Sequence, residues 1–525
     1  MQYGRREIYT DVEEITSENI ISVLKQAMID FLPNAEDCDF LLKYEKGMQK
    51  KTRVKKYRVD IDQWCVDNIA NEITEFKTSF NWGNPITLVQ RGEKDGGTQK
   101  ETSAIALLNE CYEAEKIKQK TQDLARFVEI CGIGFTIVDL KTEYEPGDSF
   151  FSVNVLDPRF SFIIKSNRYI DRRAMLGVTF RRDIKGNAFF TCFSKDTRYE
   201  ILNLVKVING KPKKDKEGKD VTTWEFAERS GEENPLNRIP IIEWIRSYDR
   251  MGCFERQISE MDNLNLLVSD FTNDVDQNTQ AIWHGNDVDF PKDEQGNEQH
   301  PKTNDWMITQ TTKDGKTPFV KPLAIDYDYA GMLNQMIYRV NRIKEKCNVP
   351  QRNDNSGGST GIAMSDATGW TNAEIEASMQ DQIKEGCKME EVKVVLAAIQ
   401  ESPDVSPDSP LLSLKYSDIT PSISRQKNYE LTTKINFFAT AVGHGIHGLH
   451  ALRAMNAFPD VNQVWEDSKD LIEAYQKSIF EKSSQNQAEG GEGEEKPNSD
   501  RYEQDESDQI ENSPMLDSNR TSTTE

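Results

Sequence analysis

With 525 residues, a net charge of −23 and 29% charged side chains, the chain has room for roughly two to four domains with separate cores. Its acidity argues against an ordinary nucleic-acid binder, which grips phosphates with a surplus of Lys and Arg. The eight cysteines form no CxxC pair and no zinc spacing, no apolar run nears the ~20 residues of a membrane span, and MQYGRREIYTD carries no signal-peptide core, so the expectation is a soluble, reduced protein made in the cytosol.

The spacing predicts an amphipathic helix over 17–32, capped by Thr16 or Ser17, with Ile20, Val23, Leu24, Met28 and Phe31 on one face. The run from Lys43 to Arg58 holds eight bases. It reads as an exposed connector offsetting the surrounding acids or, on the sharper reading, as an anion contact. A second helix is predicted from Val59 to Phe80 with Trp64, Ile69, Ile73 and Phe76 inward, then a Trp82-Gly83-Asn84-Pro85 turn and a strand over 86–89. A helix over 103–131 leads into a strand over 131–139. Its Gly132-Ile133-Gly134 lacks the third glycine of a phosphate loop and reads as two small residues entering a packed strand. From 150 to 244 the pattern turns to β, with strands at 150–156, 160–164, 176–181, 188–193 and 199–208, a solvated hairpin tip at Asn209-Gly210, and a last short strand over 241–245.

The stretch from Cys253 to Gly369 organises the rest. Phe254, Ile258, Met261, Leu264, Val268, Phe271 and Val275 recur every three or four residues, with Glu260, Asp262, Asp270, Asp274 and Asp276 between them, so a helix with an acidic opposite face should run to about Gln280. A return helix carries Leu333, Met336, Ile337, Val340, Ile343 and Cys347, with Arg339, Arg342, Lys344 and Lys346 on its polar face, and Pro350 stops it. The polar insert over 282–325 has Trp283, Phe290, Trp306, Ile308 and Phe319 but too few apolar residues for a core of its own, so it should pack on copies of itself or on partners. A flexible glycine-rich loop follows over 351–369, then Thr371 and Glu374 as a capping box and a helix to about Gln400. Ser402–Pro410 ends that helix, and 422–457 and 460–480 read as further helices. Residues 481–525 hold thirteen acids and four bases and should be disordered. On periodicity alone the hairpin could belong to any α-rich protein.

Catalysis finds no support. There is no GxxxxGK[ST], HExxH or GxSxG. His444, His447 and His450 come as GHGIHGLH. At about 100° per residue on a helix they do not share an edge, and Gly443, Gly445 and Gly448 weaken the helix, so a helix end with a loop is the reading and metal ligation the alternative. No catalytic residue, metal or cofactor is assigned; the enzyme alternative is a metal-dependent nuclease built on these histidines.

The order of several words resembles the portal proteins of tailed bacteriophages, in the siphophage branch of Gram-positive hosts. These are YEKG at 44–47 with its basic run, FNWGNPITL at 80–88, CGIGFTIVD at 131–139, VLDPRFSFII at 155–164, NRIPIIEW at 237–244, SDFTNDVDQN at 269–278 and VPQRNDNSGGSTGIAM at 349–364. The resemblance covers roughly 15–480; the chain departs from it in the gap through 353–360 and in the histidine segment. It implies an α+β portal fold: wing 1–245, stem helices 246–281 and 326–349, clip 282–325, tunnel loop 350–370, wing-crossing helix 371–410, crown 411–482 and disordered acidic tail 483–525. The tunnel loop's Gln351, Arg352, Asn353, Asp354, Asn355, Ser356, Gly357, Gly358, Ser359 and Thr360 would face the channel axis. Glu260, Asp270, Asp274, Arg339, Arg342, Lys344 and Lys346 would form the stem's channel face, the bases pairing with acids of the first helix or forming basic rings. Trp283, Phe290, Trp306 and Phe319 would be clip contacts to partners. The implied assembly is a homo-oligomeric ring of about twelve subunits at one capsid vertex of the virion, built in the host cytoplasm. Its implied partners are the terminase large subunit, the major capsid and scaffolding proteins, a head–tail adaptor, and double-stranded DNA that passes during packaging and ejection without sequence-specific binding. The alternative is a head–tail adaptor or minor capsid protein without a DNA channel.

Overall fold

The computed structural model describes residues 4–477 except 54–59, 92–98, 142–143, 146, 169, 209–210, 213, 215–220, 280–281, 289–291, 297–305, 311–316, 323–327, 352–368, 424, 426–430, 456–463, 466–467, 473 and 475–476. It divides into two units, Met1–Gln426 and Lys427–Glu525. The architecture is α+β, and in the first unit three apolar cores lie around one long helix and two sheets.

Helix α1 (Ile20–Glu45) serves two cores in succession. Ile20, Val23, Leu24, Ala27 and Phe31 pack on the larger sheet, while Cys38, Leu41 and Tyr44 enter the core beneath the hairpin. The stop expected near residue 32 does not occur, because the helix continues through Pro33. Proline inside a helix removes one backbone hydrogen bond, and here tertiary burial on both sides outweighs that loss. Asn34, next in line, receives Arg6 N at 3.0 Å and donates to Arg6 O at 2.8 Å, stitching the N-terminal strand β1 (Ile8–Thr10) to the helix. The helix expected over 59–80 begins only at Ile69 and runs to Trp82 as α2.

The larger sheet has the order β1-β5-β6-β7-β8-β11, where β5 is Ser161–Ser166, β6 Ala174–Arg182, β7 Ala188–Phe193, β8 Thr197–Val205 and β11 Thr222–Phe226. Neighbours pair antiparallel except β1 with β5, and the alternation predicted for 150–208 matches the strands closely. The second sheet is β13-β3-β4, from Ile241–Ile245, Ile133–Leu140 and Phe151–Leu156. In place of one helix over 103–131 there are two, α3 (Gln99–Ala114) and α4 (Ile117–Cys131), broken at Lys116 in a left-handed conformation. Gly132 ends α4 at φ +76°, where a Cβ would stand 2.3 Å from Arg250 O; one at Gly134 would stand 2.9 Å from Leu124 and Val128. The glycine pair is therefore a helix cap and a close strand–helix contact.

Against this second sheet lies α7 (Trp370–Glu401), whose Val392, Val395, Leu396 and Ile399 enter its core. Its N-cap is Gly369, so Thr371 stands inside the first turn and not at the cap position expected of it. Residues 411–422, the start of the stretch that the resemblance implies as the crown, belong to the first unit. Leu411, Leu414 and Ile419 are buried there, and β17 (Ile419–Ser422) pairs antiparallel with β2 (Thr87–Gln90). The second unit contains α8 (Leu431–Gly443) and α9 (Gly448–Met455), which enclose Val442 and Ala451. The acidic segment 481–525 lies outside the described residues. Among the described residues no helix is long and apolar enough to cross a membrane.

Candidate functional site

The hairpin consists of α5 (Ile258–Thr279), α6 (Tyr329–Lys346) and a three-stranded sheet between them. Its base is deeply held. Phe254, Met261 and Leu264 of the first arm and Ile343 and Cys347 of the second share one core with α1, α2 and β3. Arg5 and Glu255, both fully buried, form an ion pair at 2.5 Å, and Glu255 also accepts the backbone N–H groups of Gly4 (3.1 Å) and Gly252 (2.9 Å). The N-terminus is thus fastened to the start of the first arm.

Further along, the buried face of α5 is polar. Asn265, Ser269 and Asn273 recur every four residues and serve the extended segment 63–67. Asn273 accepts from Gln63 N (2.8 Å) and donates to Gln63 O (3.1 Å), Ser269 accepts from Cys65 N (2.9 Å), and Asn265 accepts from Asp67 N (2.8 Å). A segment with no sheet partner thereby has its backbone satisfied by side chains of one helix. Sequence reasoning missed this strap. The only signal for it is a four-residue polar repeat inside an otherwise amphipathic helix.

The residues expected on a channel face have mixed surroundings. Arg339 donates to Glu260 across the hairpin at 3.1 Å. Asp270 is paired with Arg53, and Asp274 is half-buried one turn on. Arg342 lies over the Tyr338 ring and donates to its hydroxyl at 3.0 Å. Lys344 reaches away from α5 to Glu72 on α2 at 2.7 Å, and Lys346 is exposed in the last turn of α6. Three bases of the basic run are likewise engaged with acids: Lys43 with Asp39 (2.5 Å), Lys51 with Asp62, Arg53 with Asp270.

The small sheet is β15-β14-β16, from Trp306–Thr309, Trp283–Asn286 and Phe319–Pro322. Trp283 stands in register with Trp306 on one side and Pro322 on the other. Phe319 is exposed and meets His284 edge-on at 5.1 Å, while Met307, Ile308 and Val320 are also exposed. Phe290 lies outside the described residues.

Both ends of the glycine-rich loop are anchored. Gln351 donates to Asn341 O at 3.0 Å; Arg352, Asn353, Asp354, Asn355, Ser356, Gly357, Gly358, Ser359 and Thr360 lie outside the described residues. Beyond the loop, Trp370 meets Phe76 and Phe80 of α2 at 5.9 and 5.7 Å. Nearly two turns on, Glu376 binds Lys77 (2.7 Å), Asn348 Nδ2 (2.9 Å) and Arg246. Arg246 also donates to the fully buried Glu129 at 2.9 Å, which receives Trp82 Nε1 (3.1 Å) and Asn81 (3.2 Å) as well. Burial alone would raise the carboxyls of Glu129 and Glu376, but the neighbouring charges of Arg246 and, respectively, Lys384 and Lys77 hold both below the usual range. This ionic junction ties α2, α4, the end of β13, the end of α6 and the start of α7 together at the loop's root. It continues along α7 through Lys384, which donates to Asn81 O at 2.9 Å and lies 4.5 Å from the Trp82 ring, and through the buried Lys388–Glu391 pair at 2.5 Å.

His444, His447 and His450 flank the turn between α8 and α9. The His447 ring accepts from Leu449 N at 3.3 Å, and it packs 4.9 Å from Trp465 and 5.7 Å from His450. His447 acts as a helix-end residue, and among the described residues no group of His, Cys, Asp and Glu is arranged to hold a metal ion.

The long helical pair, with a small sheet at one end and an anchored loop at the other, belongs to a viral assembly class. Residues 42–386 match the family model described as phage portal protein, SPP1 Gp6-like, and the match takes in both hairpin arms, the sheet between them and the loop. The chain belongs to this family of tailed-phage portal proteins, and the resemblance read from the sequence holds at that level. Membership implies a capsid-associated oligomeric ring. No individual curated protein matches the chain.

Proposed function

We propose that copies of this chain close into a ring at a capsid vertex, with the α5–α6 hairpins as the stem of a channel through which double-stranded DNA enters and leaves. The observation that carries the reading is the apolar surface of α6. Leu333, Ile337 and Tyr338 are 52%, 49% and 57% exposed, and the helix buries only Ile343 fully. A row of apolar side chains along a helix is stable in water only when a neighbour covers it, and cyclic symmetry supplies that neighbour. The channel would be acidic, so passing DNA would meet like charge and not adhere. The small sheet with its exposed Met307, Ile308, Phe319 and Val320 would be the clip, docking first the terminase motor and then the head–tail adaptor. The segment 351–369 would be the tunnel loop, its root fixed by the Glu376 junction. The protein would guide the genome and catalyse nothing.

Electron microscopy of the purified full-length protein tests the assembly: closed rings with a central opening are expected, and monomers or dimers under all conditions would overturn it. Shortening loop 351–369 should leave heads assembled but unfilled. Normal filling would instead favour an adaptor that threads no DNA.

A further inference from the structure

A cleft of about 670 Å³ opens between the larger sheet, strand β13 and helix α7, on elements none of which belongs to the hairpin. Its charge runs against that of the protein. In a chain of net charge −23, five bases and two acids line it. Two of the bases are neutralised locally, Lys165 by Glu7 (2.6 Å) and Glu243 (3.2 Å), and Lys393 by Glu390 (2.7 Å). Among the described residues, Arg173 has only an exposed contact with Asp171 at 3.5 Å. Among the described residues, Lys195 and Arg238 have no ion-pair partner. Three positive charges therefore converge on one opening.

The rim is built in advance. Asn234, 3% exposed, places its amide nitrogen 2.8, 3.1 and 2.7 Å from the carbonyl oxygens of Ser194, Lys195 and Arg238. One buried side chain thus fixes the backbones that present two of the three bases. Asn237 closes the turn from Asn234 into Arg238 at φ +47°, a conformation asparagine tolerates better than most residues. The floor is apolar, formed by Ile163, Ile239 and Val394 among others. A second cleft of about 650 Å³ shares Arg173, Ala174 and Lys195 with it but is also lined by Glu13, Glu14 and Asp196, so the basic character belongs to the first cleft.

We propose that this groove docks an acidic, partly apolar peptide segment of another protein. Carboxylates would meet Arg173, Lys195 and Arg238, and an apolar side chain would sit on the Ile163–Ile239 floor. The floor is what distinguishes such a peptide from nucleic acid: phosphates and sugars gain nothing from an aliphatic base, and the protein's overall charge repels a polyanion at long range. The volume is within the range of roughly 300–1,000 Å³ typical of preformed pockets.

The test is fluorescence polarisation of the full-length protein with a labelled peptide alternating Asp and Leu. The same peptide with Asn for Asp and a single-stranded oligonucleotide of matched charge serve as comparisons. Binding of the acidic peptide alone is expected, weakened about tenfold or more by Lys195→Glu with Arg238→Glu and by added salt. Single substitutions to Ala at these two exposed positions should each weaken it less, which covers the case of a misfolded double variant. Equal binding by the charge-reversed protein, or preference for the oligonucleotide, would overturn the proposal. So would a change in the variant's oligomeric state by light scattering, because the groove would then be a contact between copies of this chain.

Discussion

Asn348 and Glu376 stand on opposite sides of the glycine-rich loop, 28 residues apart in sequence, and are joined by a 2.9 Å hydrogen bond. Lys77, 2% exposed, bridges them by donating to Asn348 O at 3.2 Å and to Glu376 at 2.7 Å. Asn348 is itself held at φ +51° where α6 ends. The two flanking helices are therefore joined at one point, and they cannot part there without breaking buried ionic contacts.

Glu376→Gln keeps the side chain's shape and removes its charge, leaving Lys77 and Arg246 short of a counter-ion. Removing one member of a buried ion pair typically costs about 3–5 kcal/mol, and the partial exposure of Glu376 puts this case at the low end. Chemical denaturation should show that loss, and amide exchange should quicken in the last turn of α6 and the first turn of α7. Unchanged exchange at both ends would mean that the junction does not anchor the loop.

The strap along α5 gives a second expectation. Asn273→Ala strips both side-chain partners from the backbone of Gln63, and because these groups are only part-buried each lost hydrogen bond costs about 0.5–1.5 kcal/mol. Exchange should rise at residues 62–67 while the buried base of the hairpin stays protected. Uniform exchange changes across the unit would show that the strap contributes nothing local.

The strands of the larger sheet and the two hairpin arms were legible because each buries a face whose period, two or near 3.6, is written in its own residues. The strap was not. Trp64 and Ile69 mimic a helical repeat, yet residues 63–67 stay extended because Asn265, Ser269 and Asn273, some two hundred positions later, satisfy their backbone. Pro33 shows the same limit, since a local helix breaker yields to two cores that need one continuous rod. On α7, Glu376, Gln380, Lys384 and Lys388 repeat every four residues, a polar spacing that would equally suit a solvated stripe. They are largely buried because Lys77, Arg246, Glu129 and Asp381 bring the matching charges and the fold brings these together. Family membership was legible in short words whose order survives where no single word is distinctive, whereas the basic groove at Lys195 and Arg238 depends on Asn234 joining two loops and leaves no mark in sequence.

Lys384 makes the stability of this seam depend on alkaline pH. Burial lowers its ammonium from 10.5 to about 8, against the pull of Glu129 and Asp381. A base with a depressed folded pKa carries its burial penalty in full below about pH 8. Between about 8 and 10.5 the unfolded chain holds the proton and the folded one has released it, so this group's contribution to stability rises with pH. Denaturation of the wild type and Lys384→Met through that window should show the difference moving in favour of the wild type. A difference that stays flat would show that Lys384 keeps its proton in the fold.

The assembly itself can be attacked without touching the subunit. Leu333 and Ile337 are about half exposed in the isolated chain, so replacing both with Asp removes little buried area and should change subunit stability by no more than about 0.5 kcal/mol per site. If a neighbouring hairpin covers them, the same change places two unpaired charges in every subunit contact, and closed symmetry repeats the penalty around the ring. Rings should then give way to single subunits in electron micrographs while the circular-dichroism melt stays near that of the wild type. Intact rings from the double variant would place the subunit contact elsewhere, and a collapsed melt would show that these side chains support the fold of the chain itself.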